Sequence, residues 1–149
     1  MPANSFSTGR DCQLVVIGPS GPNGQAGTRV DLTHVTGFES RQLTHPIRVD
    51  RLDGEHMAAE LPKGWEGSFE LERGSPAADD FIDGIEQAWH VNGLLEGGTL
   101  YQYVSEADGS VSTFQFDGAV FKMTNAGQWK GDSAVRQRLD FFASRRQRI

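Results

Sequence analysis

The chain has 149 residues, a net charge of −6 and only 37% hydrophobic residues, which suits one soluble domain with a single core. No stretch approaches the roughly 20 apolar residues of a membrane helix, so no membrane partner is expected. Cys12 is the one cysteine, which excludes an internal disulfide and fits a reducing compartment.

The first segment, MPANSFSTGRD, has neither a basic n-region nor an apolar h-region, so no signal peptide is expected. DCQLVVI (11–17) alternates as a strand in which Cys12 shares a face with Leu14 and Val16, giving a buried structural thiol. GPSGPNGQAG (18–27) is a Gly/Pro-rich excursion whose role the sequence leaves open. It precedes a strand rather than a helix, so it lacks the dipole that makes such loops bind phosphate. A second strand starts near Arg29 and runs through RVDLTHVTGFESRQL, with a bulge at Gly37 changing its register.

Residues 42–63 predict a projecting, charge-rich hairpin at a sheet edge. Pro46 argues against a central strand, and Asp53–Gly54 marks the turn. Ile47 and Val49 alternate with Arg48 and Asp50, and the domain is not expected to bury this ribbon fully. WEGSFELER then alternates with Trp65, Gly67, Phe69 and Leu71 inward and Glu66, Glu70 and Glu72 outward. The helix over about 76–92 has Ser75 as N-cap, Pro76 at the first helical position, Asp79 and Asp80 at its positive end, and a stop at Asn92–Gly93. Phe81, Ile82, Ile85, Ala88 and Trp89 form its apolar stripe.

GTLYQYVSEADGSVSTFQFDG (98–118) reads as a hairpin with a type I′ turn at Asp108–Gly109. Both of its faces carry bulk. Leu100, Gln102 and Val104 oppose Tyr101 and Tyr103 on one arm, and Phe114 and Phe116 oppose Thr113 and Gln115 on the other. The helix is expected to cover one face, and the other is left for a partner. AVFKMTN (119–125) and a final strand through VRQRLDFFA bring the tally to seven or eight strands. The fold class is mainly β: an antiparallel sandwich or partly closed barrel with one flanking helix, forming a single domain over 1–149.

Charge is uneven. Residues 134–149 hold five arginines against one aspartate, whereas the other 133 residues hold 9 basic and 19 acidic side chains. An acidic body repels phosphates, and the arginine-rich end (136–149) is either a solvated terminus or a contact for nucleic acid or an acidic protein surface. Chemistry is not legible. His34, His45, His56 and His90 make no zinc-spaced motif, the even spacing of the first three is read as chance, and GxSxG and GxxxxGK[ST] are lacking. Tyr101, Tyr103, Phe114 and Phe116 have no Lys or Arg among them, against a stacking platform for single-stranded nucleic acid. No catalytic, cofactor or metal residues are assigned, and the chain is not expected to be an enzyme.

SFSTGRDCQLVVIG, LPKGWEGSFELERGSPAADDFI and YQYVSEADGSVSTFQFDGAVFKMTNAGQWKGDSAVRQRLDFFASRR, spanning almost the whole chain, resemble tail tube proteins of bacteriophages with contractile tails. Loop 18–27 looks like an insertion relative to that family. The resemblance implies hexameric rings of identical copies, with inner strands forming a continuous barrel around a channel that passes genomic DNA without specific binding. It further implies stacking through the long hairpin, the N-terminal segment and the C-terminal end, with sheath, tape measure and baseplate proteins as partners. The expected location is the virion tail, reached from the host cytoplasm. The same fold occurs in type VI secretion and contractile bacteriocin tubes. The contact candidates that follow are Pro46, Ile47, Val49, Leu52, Asp53 and Gly54 in the hairpin, Tyr101 and Tyr103 on the uncovered face, and Arg136, Arg138, Arg145 and Arg146 at the basic end. Rival readings are a tube subunit of a type VI secretion or contractile bacteriocin system, a monomeric small-ligand-binding β-barrel or lipocalin-like enzyme, and a minor baseplate or tail-completion protein.

Overall fold

The computed structural model describes residues 12–18, 29–32, 34–93 and 97–149; loop 18–27 beyond Gly18, and the segment before Cys12, lie outside them. The elements are β1 (Cys12–Ile17), β2 (Arg29–Leu32), β3 (Val35–Asp50), β4 (His56–Glu72), α1 (Ala77–Asn92), β5 (Gly98–Ser105), β6 (Val111–Asn125), β7 (Arg136–Ala143) and β8 (Arg145–Arg148). The strand path is β2-β1-β5-β6-β7-β4-β3, with β8 also beside β6. Every pairing along it is antiparallel.

One long strand makes this a folded-over sheet. The first half of β6 lies between β5 and β8, and its second half pairs with β7. The corner falls at Gly118, whose φ of 61° is left-handed. Opposite it, the Ser144 N–H and Oγ both donate to the Asp117 carbonyl, at 2.9 and 3.0 Å. The expected sandwich or partly closed barrel with a flanking helix is what the chain adopts.

Alternation then fills the space between the halves. Leu14, Val16, Phe69, Leu71, Leu100, Phe116, Leu139 and Phe141 are buried. Phe141 stacks on Phe38 at 5.8 Å and meets Phe116 edge-on at 5.3 Å, while Trp65 stands edge-on to Phe116 at 6.2 Å. Gln137 is the buried polar side chain of β7, and its amide donates to Asp79 Oδ1 at 2.8 Å and to the Ala126 carbonyl at 3.1 Å. Those bonds tie the sheet to the first turn of α1. Cys12 is half-buried and accepts from the Gln102 amide at 3.5 Å; burial pushes its thiol up, against the pull of that bond.

Four details differ from the sequence reading. Residues 29–43 split into β2 and β3 around His34, whose φ is 60°, because the chain there leaves β1 to pair with β4. The Gly37 bulge is present, as a register shift between Val35 and Gly37. Pro76, not Ser75, is the N-cap of α1, since the Pro76 carbonyl accepts from the Asp80 N–H at 2.8 Å and opens the helical ladder. Gly93 ends the helix in the left-handed region as expected. The helix does not cover the 98–118 hairpin: Phe81 meets Phe121, in the second half of β6, at 5.2 Å. The inner face of that hairpin is covered instead by Phe38, Trp65 and Phe141 from the facing half.

The fourth difference is the turn type. Neither Asp53 nor Asp108 has positive φ, so neither turn is type I′. The Gly54 N–H donates to the Arg51 carbonyl and the Gly109 N–H to the Glu106 carbonyl, each at 3.1 Å, with φ of 89° and 91° at the glycines. Each is a three-residue loop, a type I turn followed by a left-handed glycine. The aspartates select it. Asp53 Oδ1 accepts from the Glu55 N–H at 3.1 Å and Asp108 Oδ1 from the Ser110 N–H at 2.9 Å, a bond that holds the aspartate at negative φ.

Candidate assembly surface

β3 and β4 remain paired far beyond the body. From Thr44 to Lys63 every residue is exposed, so a ribbon about eight residues long per strand extends roughly 25 Å from the domain. β3 is the last strand of the path, which is why Pro46 costs it no ladder bond to another strand.

The register sorts this ribbon into two unlike faces. His45 faces Leu61, Ile47 faces Ala59 and Val49 faces Met57. On the alternate positions Thr44 faces Pro62, Pro46 faces Glu60, Arg48 faces Ala58 and Asp50 faces His56. Two pairs form within the polar face, Thr44 Oγ1 donating to Glu60 Oε2 at 2.8 Å and His56 Nδ1 lying 2.7 Å from Asp50 Oδ1. The apolar face is exposed, with no described residue packed over it. A bulge between Leu43 and Thr44, where Gly64 has a φ of 113°, creates this pattern. In the body the odd residues of β4 face even residues of β3, as Trp65 faces Gln42; beyond the bulge they face odd ones. That one-residue shift places Met57, Ala59 and Leu61 across from Val49, Ile47 and His45, and Leu52 caps the stripe at the fully exposed tip.

Tyr101 and Tyr103 lie on the outer face of the β5–β6 hairpin, facing Gln115 and Thr113. They stack on each other at 6.3 Å and stay half-buried, whereas Leu100 and Phe116 on the inner face are sealed.

The basic end divides. Arg138 lies among acceptors of its own chain: 3.4 Å from Asp140, 3.9 Å from Glu70 and Glu39, and donating to Ser68 Oγ at 3.2 Å. Arg41 and Glu66 form an ion pair on the same face. Arg136 is exposed at the start of β7, and Arg145 and Arg146 lie on β8. Arg146 is unusual. Its guanidinium lies 3.8 Å from the Phe114 ring centre, 4.7 Å from Trp65 and 5.8 Å from Phe116, and its buried Nε has no acceptor among the described residues. Burial lowers its pKa.

The structure thus brings Pro46, Ile47, Val49, Leu52, Asp53 and Gly54 together on one ribbon, and Tyr101 with Tyr103 on a separate face. It divides the four arginines between two strands, Arg136 and Arg138 on β7 and Arg145 and Arg146 on β8. Met57, Ala59 and Leu61 complete the stripe and were legible in the alternation of EHMAAEL; the Arg146 clamp, built from three distant segments, had no local signal. His45 and His56 fall on opposite faces of the ribbon and do not converge with His34.

No protein-family model matches the sequence, and no curated protein matches it. Solved structures do. A chain of the PVC sheath–tube complex, an extracellular contractile injection system in its extended state, superposes with a TM-score of 0.68 at 10% identity, covering 99% of this chain and 93% of that one. A chain of the PVC sheath/tube terminator gives 0.65 at 12%, covering 99% of both. A chain of the anti-feeding prophage cap, its tube-terminating cap, gives 0.63 at 11%, covering 100% of this chain and 94% of that one. Across nearly its whole length, this chain has the fold found in the tube and tube-terminating parts of contractile injection particles.

Proposed function

We propose that the chain is a structural subunit of a contractile-particle tube, assembling with copies of itself into stacked six-membered rings inside a sheath and above a baseplate. The observation that carries the reading is the 44–63 ribbon, whose apolar face is exposed and has no cover among the described residues. A solvated hairpin gains nothing from five exposed aliphatic side chains in one stripe; a ribbon inserted into the next ring does. The shared fold supports the same reading, with similarity to structures described as a sheath–tube complex and a baseplate. The interior of the domain is filled by Phe38, Phe69, Phe116 and Phe141, which disfavours the small-ligand barrel. For the cargo, the acid-rich body suits a channel past which DNA slides without being held, as in a phage tail; a protein-injecting particle is the alternative.

One second reading has its own support. The equally complete coverage of the terminator chain favours a subunit that closes the tube with a single ring. Imaging the full chain by negative stain at high concentration tests both. Tubes of stacked rings are expected for the tube subunit, and rings that never stack for the terminator. A monomer at every concentration overturns both.

A further inference from the structure

One half of the molecule is electrically polar across its width. Its strands run β2-β1-β5-β6, with β8 on the far side of β6. α1 packs beside β2, at one end of that row, and also meets the second half of β6 beyond the Gly118 corner, whereas β8 closes the other end of the row.

The β8 end carries Arg145, Arg146 and Arg148, and among the described residues none of them has a carboxylate partner. Arg145 faces Asp117 in register. The Asp117 oxygens are already taken, one by the Gln115 amide at 2.6 Å and the other by the Gln147 amide. Arg146 is held flat on Phe114 with its Nε sealed and unbonded. Arg148 reaches only Ser112 Oγ, at 3.4 Å. Along its other edge β8 pairs with no strand among the described residues.

At the opposite end, Asp80, Asp83 and Glu86 stand exposed on the outer face of α1 and have no ion pair among the described residues. Gly84 lies between them. Glycine disfavours a helix interior relative to alanine, yet among the described residues nothing beyond its own turns of helix comes within 4 Å of the place a Cβ would occupy there. Val91 is exposed on the same face. A bare glycine flanked by carboxylates leaves room for a long basic side chain to lie across the helix.

We propose that the β8 edge of one copy docks on the outer face of α1 in a second copy, with the exposed Arg145 and Arg148 set against Asp80, Asp83 and Glu86. The patches differ and lie at opposite ends, so the contact is head-to-tail and propagates to a closed ring when the rotation permits. It rests on the ring-forming reading above and specifies the contact within a ring, distinct from the hairpin contact between rings. Placing the acids of one copy over the arginines of the next satisfies charges that the isolated chain leaves single, and it fixes orientation more than affinity.

The test uses two full-length variants, Arg145→Glu/Arg148→Glu and Asp83→Arg/Glu86→Arg, at exposed positions. Each alone is expected to raise the concentration of half-assembly about tenfold or more, read by sedimentation velocity. Mixed in equal amounts they are expected to assemble again, because every junction of an alternating ring then pairs opposite charges. Raising salt from about 0.1 M to about 1 M, which shortens the screening length from roughly 10 to 3 Å, should weaken the wild-type ring and the mixed ring alike. Assembly of either variant at the wild-type concentration, or failure of the mixture to assemble, overturns the proposed contact while leaving wild-type rings in evidence. Loss of binding to a single-stranded oligonucleotide in the arginine variant, with assembly unchanged, would instead assign the edge to nucleic acid. A wild-type chain that never leaves the monomer refutes the tube reading itself.

Discussion

Val49 and Met57 face each other across the ribbon, 50% and 52% exposed, and Val49→Thr with Met57→Gln separates assembly from folding. About half of each side chain's burial is still available to a partner, so docking the pair is worth about 2 kcal/mol per contact at 1.5–3 kcal/mol for full burial of each. Losing it corresponds to about a 30-fold weaker contact, repeated at every junction between two rings. In the monomer the same changes remove only a cross-strand pair in a solvated ribbon, less than about 1 kcal/mol. Negative-stain imaging across a concentration series, with thermal unfolding of the dilute protein alongside, reads both quantities. The expected outcome is single rings in place of tubes, with unfolding nearly unchanged. Tubes at the wild-type concentration would refute the stripe as a stacking surface; a variant that unfolds many degrees lower would show that the stripe serves its own domain.

Other outcomes follow from the core and turns. Phe116→Ala removes a fully buried ring in contact with Phe38, Trp65 and Phe141 and should cost about 3–5 kcal/mol in urea unfolding. Gly67→Ala would set a Cβ against the Glu39 carbonyl and 2.9 Å from the Phe141 ring, so about 1–3 kcal/mol of destabilisation is expected in the same assay. Asp79→Ala strips Arg73 and the buried Gln137 amide of a shared acceptor, and a loss of about 2–3 kcal/mol should appear in thermal unfolding. The Ser110 hydroxyl, and then its N–H, hold the Asp108 carboxyl below its usual value. The turn's contribution is therefore complete above about pH 4 and fades as pH falls through the lower folded value. Amide exchange at Ser110 should speed up in that acid range in the wild type and show no such pH dependence in Asp108→Asn.

What the sequence made legible was whatever rests on alternation and local punctuation. The inward faces of β4 and β7, the edge position marked by Pro46, the bulge at Gly37 and the stop at Gly93 each follow from neighbouring residues. What it hid depends on distant segments. The apolar stripe of the helix suggests a cover for one face of the two-sided 98–118 hairpin, but pairing of β6 with β7 brings Phe141 over Phe116 and leaves the helix to Phe121. Arg138 and Arg146 look alike in the chain. One falls on a face with Glu39, Glu70 and Asp140, the other on three rings. Asp-Gly correctly marked both turns, but their type was set by the aspartate bond to the second residue beyond.

The central claim is that this domain is completed by copies of itself. Native mass spectrometry of the full chain over a wide concentration range tests it most directly. Masses at six copies and its multiples, growing with concentration, are the result this account requires. A single species of one copy throughout, with the Thr44–Lys63 ribbon bare to solvent, would contradict it.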